Sequence, residues 1–156
     1  MTTSTASTPI REEESIRSVL NDRLAALHDK DAARFVAHYS PAVVKFDLAP
    51  PLVETGPDVL EPAGWQQWFD SWDGPIVLAL ARVGMQVSGS GSGDMAVCHC
   101  VSHMTGQKVD GEEVDLWFRS TYCFALVEGR WLIVHEHSSV PFAMDGSGLA
   151  CLDLVP

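Results

Sequence analysis

The hydrophobic pattern of this chain changes its period near Gly74, and that change limits the possible folds more than any other feature. Before Gly74 the longest pattern, over residues 12–28, repeats apolar side chains at helical spacing. After Gly74 apolar and polar residues alternate in segments separated by glycine-containing turns, which predicts four strands at 76–87, 95–104, 114–127 and 131–138. Helices followed by such a meander predict an α+β fold with a curved antiparallel sheet.

The part of the chain before Gly74 predicts three helices and one strand. The first helix covers residues 12–28, and Asp31 can cap a short second helix. A strand follows over 43–48, and a third helix starts near Pro62 or Gly64 and ends at Gly74. We expect these three helices to pack on the concave face of the sheet. The predicted organisation is a disordered leader over 1–10, one domain over 11–140 and a tail over 141–156.

Composition excludes several kinds of partner. Acidic residues number 21 against 10 Lys and Arg, so the formal net charge of −11 disfavours nucleic acid and anionic membranes. The polar start lacks the pattern of a signal peptide, and no apolar run approaches the roughly 18 residues that span a bilayer. We therefore expect a soluble cytoplasmic protein. The four cysteines lack Cys-x-x-Cys spacing, which favours buried, reduced thiols.

Asp47 is the most informative single side chain. It ends the short apolar strand over 43–48, immediately before the turn at Pro50 and Pro51. A half-buried carboxylate loses hydration and is usually retained for a partner or for proton chemistry. The alternative is that Asp47 only stabilises the proline-rich turn through bonds to backbone N–H groups.

The order of helix, helix, apolar strand, Asp47 and proline-rich turn resembles the ketosteroid isomerase/SnoaL-like superfamily, also called nuclear transport factor 2-like. The closing hairpin over 128–139 is similar to that of the same superfamily. The resemblance implies an open cone with an internal pocket, and it implies that Asp47 is the proton-shuttling base. Isomerases of the family carry a tyrosine on the first helix, where this chain has Arg23 and Leu24. Tyr122 occupies about the place of their partner acid, and a phenol there could donate to an oxyanion.

Strand alternation then predicts which side chains share a face. We take Asp110-Gly111 as a two-residue turn and the hairpin at Glu128-Gly129 as a three-residue loop. The pocket face then carries aromatic and polar groups: His99, His103, Phe118, Ser120, Tyr122, Phe124, Val134, Glu136 and Ser138. The opposite, convex face carries Trp117, Arg119, Thr121, Ile133, His135, His137 and Ser139. A one-residue change in either loop would exchange these sets.

Two functional hypotheses follow. In the first, the pocket binds an apolar small molecule and performs acid–base chemistry of isomerase, cyclase, dehydratase or hydrolase type, with no cofactor and no metal. The predicted catalytic residues are Asp47, Tyr122, His99 and His103, and the predicted substrate-binding residues are Tyr39, Trp65, Phe118, Ser120, Glu136 and Ser138. In the second, the same fold is a non-catalytic binding or assembly module.

The convex face also predicts assembly. An exposed strip containing Trp and Ile is costly to leave in water, and a second copy can cover it through a two-fold contact. We therefore expect a homodimer that weakens near pH 5 as its histidines gain charge. The predicted interface consists of Trp117, Arg119, Thr121, Ile133, His135 and His137.

Overall fold

The computed structural model describes residues 8–88 and 94–156. These form four helical segments and six strands. In chain order they are α1 (Thr8–His28), α2 (Ala32–Val36), β1 (Tyr39–Phe46), β2 (Glu54–Thr55), α3 (Gly56–Leu60), α4 (Pro62–Asp70), β3 (Trp72–Ser88), β4 (Met95–Lys108), β5 (Glu113–Val127) and β6 (Arg130–Ser139).

All six strands belong to one curved, unclosed sheet in the order β2-β1-β6-β5-β4-β3. Strands β3 to β6 form the predicted antiparallel meander, and β1 pairs in parallel with β6. The α+β fold class is therefore confirmed. This topology places the end of β1, and hence Asp47, beside the last strand of the chain.

The hydrophobic core lies between the helices and the concave face of the sheet. Ile16, Leu20 and Leu27 form the buried stripe of α1, and they belong to one cluster with Phe124 and Ile133. Burial of these side chains is the main stabilising term for such a layer. The first helix begins at Thr8, so residues 8–10 of the predicted leader are helical, while residues 1–7 lie outside the described part of the chain.

Two segments differ from the sequence prediction between β1 and β3. Residues 56–60, predicted as loop, form α3, whose first turn contains Pro57. Gly56 is required there, because a Cβ on it would lie 2.0 Å from the carbonyl oxygen of Pro41. Trp72, predicted to lie in the third helix, instead begins β3, since α4 ends at Asp70.

The β4–β5 hairpin has a loop one residue longer than predicted. The N–H of Lys108 donates to the carbonyl of Glu112 at 2.7 Å, which leaves residues 109–111 as the loop. His103 therefore pairs with Trp117, and His99 pairs with Thr121. Because side chains alternate across a strand, this shift moves both histidines to the convex face. Their predicted placement on the pocket face was wrong.

The β5–β6 hairpin combines a tighter turn with a β-bulge. Val127 pairs with Arg130 across a two-residue turn, whereas the prediction had three residues. Farther along, Cys123 pairs with His135 and Phe124 with Ile133, so Val134, predicted for the pocket face, is the extra residue of a bulge. Beyond the bulge the register is the predicted one: Ser120 pairs with Ser138 and Tyr122 with Glu136.

The bulge also corrects the placement of Ile133. This side chain was predicted for the convex face, but it is fully buried in the core cluster. Before the bulge the odd-numbered residues of β6 face the core, and after it the even-numbered residues do.

The thiols are free. Cys98 and Cys100 are buried, while Cys123 and Cys151 are partly exposed. Burial raises the pKa of the Cys98 thiol to about 11, which keeps it protonated and unreactive at neutral pH. In residues 8–88 and 94–156, no helix has the length and apolar character needed to cross a membrane.

Candidate functional site

A cavity of about 490 Å³ lies between the helices and the concave face of the sheet. Every helix and every strand contributes to its wall. The apolar part of the wall consists of Leu27, Phe35, Trp65, Trp68, Leu78, Met104 and Phe118. A cavity of this size, mainly apolar with a few polar groups, is typical of a small-molecule site.

At its inner end the cavity meets a buried group of three polar side chains, the inner cluster, formed by Arg23, Tyr39 and Glu136. Arg23 Nη2 donates to Glu136 Oε2 at 2.8 Å and also to the Tyr39 hydroxyl, which in turn donates to Glu136. All three residues are at most 6% exposed. The Arg23 guanidinium also lies 4.2 Å from the ring centre of Phe35. The charges are thus paired with each other and shielded from water.

Burial and charge pairing both shift the pKa values of the side chains in the inner cluster. Burial by itself would lower the pKa of Arg23, but the Glu136 carboxylate and the two nearby tyrosines raise it, so the guanidinium stays charged. Burial raises the pKa of Tyr39 well above its ordinary value, although Arg23 acts in the opposite direction. The Nε–H of Arg23 is buried and has no hydrogen-bond acceptor among the described residues.

Tyr122 lies next to this cluster and lines the cavity. Its ring centre is 5.5 Å from the Arg23 guanidinium, and the residue is 1% exposed. Burial, followed by the charge of Glu136, raises the pKa of Tyr122, so its hydroxyl remains protonated at neutral pH. A protonated phenol in an apolar cavity can donate to a negatively charged oxygen.

A second group, the outer cluster, consists of Lys45, Asp47 and Glu54. The Lys45 ammonium pairs with Asp47 and lies 3.3 Å from Glu54 Oε2. It also lies 4.6 Å from the ring centre of Trp65. The side chain of Lys45 is only 4% exposed, whereas those of Asp47 and Glu54 are 33% and 26% exposed. A buried cation is therefore held between an indole ring and two half-exposed carboxylates.

Local structure explains why the outer cluster forms. Val43, Lys45 and Asp47 alternate along the chain, and Val43 is fully buried, so Lys45 points inward from the same side of β1. Antiparallel pairing of β1 with β2 places Glu54 directly opposite Lys45. Asp47 Oδ1 also accepts the backbone N–H of Leu48 at 2.7 Å, as the turn-stabilising alternative expects.

Six of the ten predicted site residues line the cavity: Asp47, Trp65, Phe118, Tyr122, Glu136 and Ser138. Tyr39 lies behind the wall, where it is bonded to the other two members of the inner cluster, Arg23 and Glu136. Ser120 is also buried, with its hydroxyl 2.8 Å from that of Ser102. His99 and His103 lie on the opposite face of the sheet, where His103 stacks on Trp117 at 4.1 Å and bonds Asp115 at 2.6 Å.

Sequence reasoning missed the two cations of the cavity, Arg23 and Lys45, although Arg23 carried a signal. Arg23 follows Ile16 and Leu20 at helical spacing and precedes Leu27 by four, so it lies within the buried stripe of α1. A charged residue in such a stripe needs a buried partner. Within the part of the chain that the structure describes, no group of three or more His, Cys, Asp or Glu could hold a metal ion.

Comparison with known proteins places this architecture in a family. Residues 16–143 match the model of a SnoaL-like domain. An NTF2-like protein of unknown function from Pseudomonas putida KT2440 is 27% identical, with a TM-score of 0.78 over 94% of this chain and 98% of that one. No curated protein is significantly similar in sequence.

More distant structures share the fold. A proposed dehydratase of the NTF2-like family from Streptomyces avermitilis is 18% identical, with a TM-score of 0.70 over 87% of this chain and all of that one (100%). The association domain of CaMKII from C. elegans is 17% identical, with a TM-score of 0.64 over 85% of this chain and 98% of that one. At these identities the likeness concerns the fold alone, and the fold accommodates both kinds of protein.

Proposed function

The chain belongs to the SnoaL-like domain family, and from this premise we propose that its cavity binds an apolar small molecule and performs cofactor-independent acid–base chemistry on it. One observation carries the proposal: Asp47 and Tyr122 line the same largely apolar cavity. A carboxylate and a protonated phenol in one cavity are a base and an oxyanion donor.

In the proposed reaction Asp47 removes a proton from a carbon next to a carbonyl group of the ligand. The C–H electron pair moves into the enolate, whose oxygen accepts a hydrogen bond from Tyr122. Return of the proton from Asp47 to another carbon gives an isomerase. Transfer of that proton to a departing β-hydroxyl group releases water as the C=C bond forms, which gives a dehydratase. Arg23 holds its charge 5.5 Å from the ring centre of Tyr122 and is itself paired with Glu136.

Matched variants test the role of Asp47. Asp47→Asn and Glu54→Gln each remove one carboxylate from Lys45, but only the first removes the proposed base. On substrates found in a panel of enones, lactones and epoxides, we expect Asp47→Asn to lower kcat by about 10²–10⁴-fold, the usual range for general acid–base catalysis. Glu54→Gln should retain kcat within about tenfold. Equal losses in both variants would overturn the base role.

A non-catalytic binding module is the second candidate, and the Asp47 environment favours it. The Asp47 carboxylate is already bonded to Lys45 and to the N–H of Leu48. If these bonds are its whole role, the cavity holds a ligand without converting it. Mass spectrometry of ligand copurified with the protein, together with no turnover of that ligand, would support binding alone.

We also propose a homodimer through the convex face, with the surface corrected by the structure. Trp117, Arg119, Thr121, His135 and His137 remain in it, and Ile133 leaves it for the core. The register adds His99 and His103, and the His103 ring is bonded to Asp115. The relatives with this fold include an association domain, which is compatible with assembly.

Four histidines on one self-associating face make the contact sensitive to acid. Histidine side chains gain charge in acid, and Arg119 adds to the repulsion, while the Asp115 carboxylate bonded to His103 offsets part of it. Light scattering at micromolar concentration should give a dimer at pH 7.5 and a larger monomer fraction at pH 5. A monomer at pH 7.5 would overturn the proposed interface.

A further inference from the structure

The cavity has an excess of negative charge. Five carboxylates line it against two cations, Arg23 and Lys45, which gives a formal charge of −3. In the inner cluster Arg23 is balanced by Glu136, whereas in the outer cluster Lys45 is shared by two carboxylates. The carboxylates are Asp47, Glu54, Asp58, Glu61 and Glu136.

The excess is concentrated at the exposed rim. Asp58 and Glu61 are exposed and, within residues 8–88 and 94–156, form no ion pair with a basic side chain. Each has only a local hydrogen bond: Asp58 lies 3.5 Å from the Thr55 hydroxyl, and Glu61 accepts the N–H of Ala63 at 3.2 Å. An anionic ligand would approach this rim against repulsion, and a cationic one would be attracted.

The aromatic wall already holds one cation. The Lys45 ammonium lies 4.6 Å from the ring centre of Trp65, between two carboxylates, which is a cation–π arrangement inside the cavity. Trp65 and Trp68 belong to α4, whose N-terminal residues adjoin Glu61. The wall therefore combines indole rings with carboxylates, the surroundings that favour an organic ammonium group.

The inner end adds an independent sign of a ligand. Arg23 is 3% exposed and lines the cavity, yet its Nε–H has no acceptor among the described residues. A buried donor without a partner is costly, typically by about 1–3 kcal/mol. An acceptor oxygen on a bound molecule would relieve that cost.

We propose that the ligand of this cavity is a cationic amphiphile. Its protonated amine lies at the rim near Asp58 and Glu61, its cyclic apolar body packs on the tryptophan wall, and an oxygen at its far end accepts from Arg23. This inference rests on the proposed function, because it assumes that the cavity binds a small molecule, and it revises that ligand from a purely apolar one to an apolar body with one charged end and a stated orientation.

The test uses three probes with one carbon skeleton. These are methoxynaphthyl-ethylamine, the corresponding alcohol and methoxynaphthyl-acetate, which are cationic, neutral and anionic at pH 7 and share an ether oxygen at the far end. Isothermal titration calorimetry at low salt gives the three Kd values, and the indole N–H signals of Trp65 and Trp68 in NMR spectra locate binding. We expect the amine to bind at least about tenfold more tightly than the alcohol, and the acetate to bind most weakly.

Two double variants separate the rim from the overall charge. Asp58→Asn with Glu61→Gln removes the rim charges and keeps the capping oxygen of Glu61, and it should reduce the preference for the amine to within about threefold. Asp70→Asn with Asp73→Asn removes two exposed carboxylates that do not line the cavity, and it should retain the full preference. Circular dichroism checks that both variants fold.

The outcomes distinguish this inference from the proposed function. Equal binding of amine and alcohol, or preference for the acetate, overturns the ligand charge while the cavity remains a binding site. If the double variant Asp58→Asn with Glu61→Gln still prefers the amine, these two carboxylates do not attract the ligand's ammonium group as proposed. Binding of none of the probes contradicts both the ligand class and the proposed pocket.

Discussion

The inner and outer clusters of the cavity are built from the same kind of pair, a buried cation with carboxylate partners, but they differ in access to water. In the inner cluster the side chains of Arg23 and Glu136 are 4% and 7% exposed. In the outer cluster Lys45 is equally buried, whereas Asp47 is 33% exposed. A carboxylate that can hydrate can also change partners, so the ion pairs of the outer cluster break at lower cost than the buried pair of the inner cluster.

The largest expected effect comes from breaking the inner pair. Glu136→Ala leaves the Arg23 charge buried without its carboxylate, and we expect the free energy of unfolding to fall by about 3–5 kcal/mol. Glu54→Ala is the matched control, since it also removes one glutamate from a buried cation, and it should cost about 1 kcal/mol or less. Urea unfolding followed by circular dichroism measures both. Equal losses would show that the two clusters do not differ as described.

Alkaline pH probes the burial of the inner cluster, because one of the two tyrosines of the chain belongs to it and the other lies beside it. Burial raises the pKa of both Tyr39 and Tyr122 above the ordinary value of 10.0. Above pH 10 the unfolded chain therefore binds fewer protons than the folded one, so stability falls as pH rises. The loss at pH 11 should be on the order of 2–3 kcal/mol for the two groups.

Absorbance at the tyrosinate band follows this directly. We expect no tyrosinate in the folded protein at pH 11, and both phenols should ionise together when the protein unfolds. Tyrosinate that forms near pH 10 while circular dichroism remains native would contradict the burial of the inner cluster.

The smallest effect is expected at the outer cluster. Lys45→Met keeps an apolar chain against Trp65 and leaves Asp47 and Glu54, which can hydrate at the rim. The free energy of unfolding should fall by about 1 kcal/mol or less. Arg23→Met provides the comparison, because it leaves Glu136 buried and uncompensated and should cost several-fold more. If Lys45→Met lowered the free energy of unfolding by about 3 kcal/mol or more, the outer ion pairs would be as costly to break as the inner one, which contradicts the difference between the two clusters.

The sequence predicted the architecture well because periodicity reports which side of an element is buried. The helical spacing of α1 and the alternation after Gly74 survive in the structure almost unchanged. Hairpin register was harder, since it depends on single residues in the loops. One additional residue in the loop over 109–111 was enough to move His99 and His103 away from the cavity.

The site was only partly predictable for a different reason. Tyr122 and Glu136 lie in strands, and alternation sufficed to place them on one face, whereas Asp47, which directly follows β1, was assigned through the family resemblance. Arg23 lies in an otherwise apolar stripe, where its charge is explained by a partner distant in sequence, whereas the partners of Lys45, Asp47 and Glu54, lie two and nine residues away. Glu136 is 113 residues from Arg23, and no local pattern connects the two.

The bulge at Val134 has a consequence for how this chain can change over generations. Upstream of it, β6 presents Trp131 and Ile133 to the core, and downstream it presents Glu136 and Ser138 to the cavity. Along β6, substitutions should therefore be poorly tolerated at odd-numbered positions before the bulge and at even-numbered positions after it. Point substitutions can adjust cavity and core separately, whereas a single-residue deletion near Val134 would force one of them to exchange its side chains for those of the convex face.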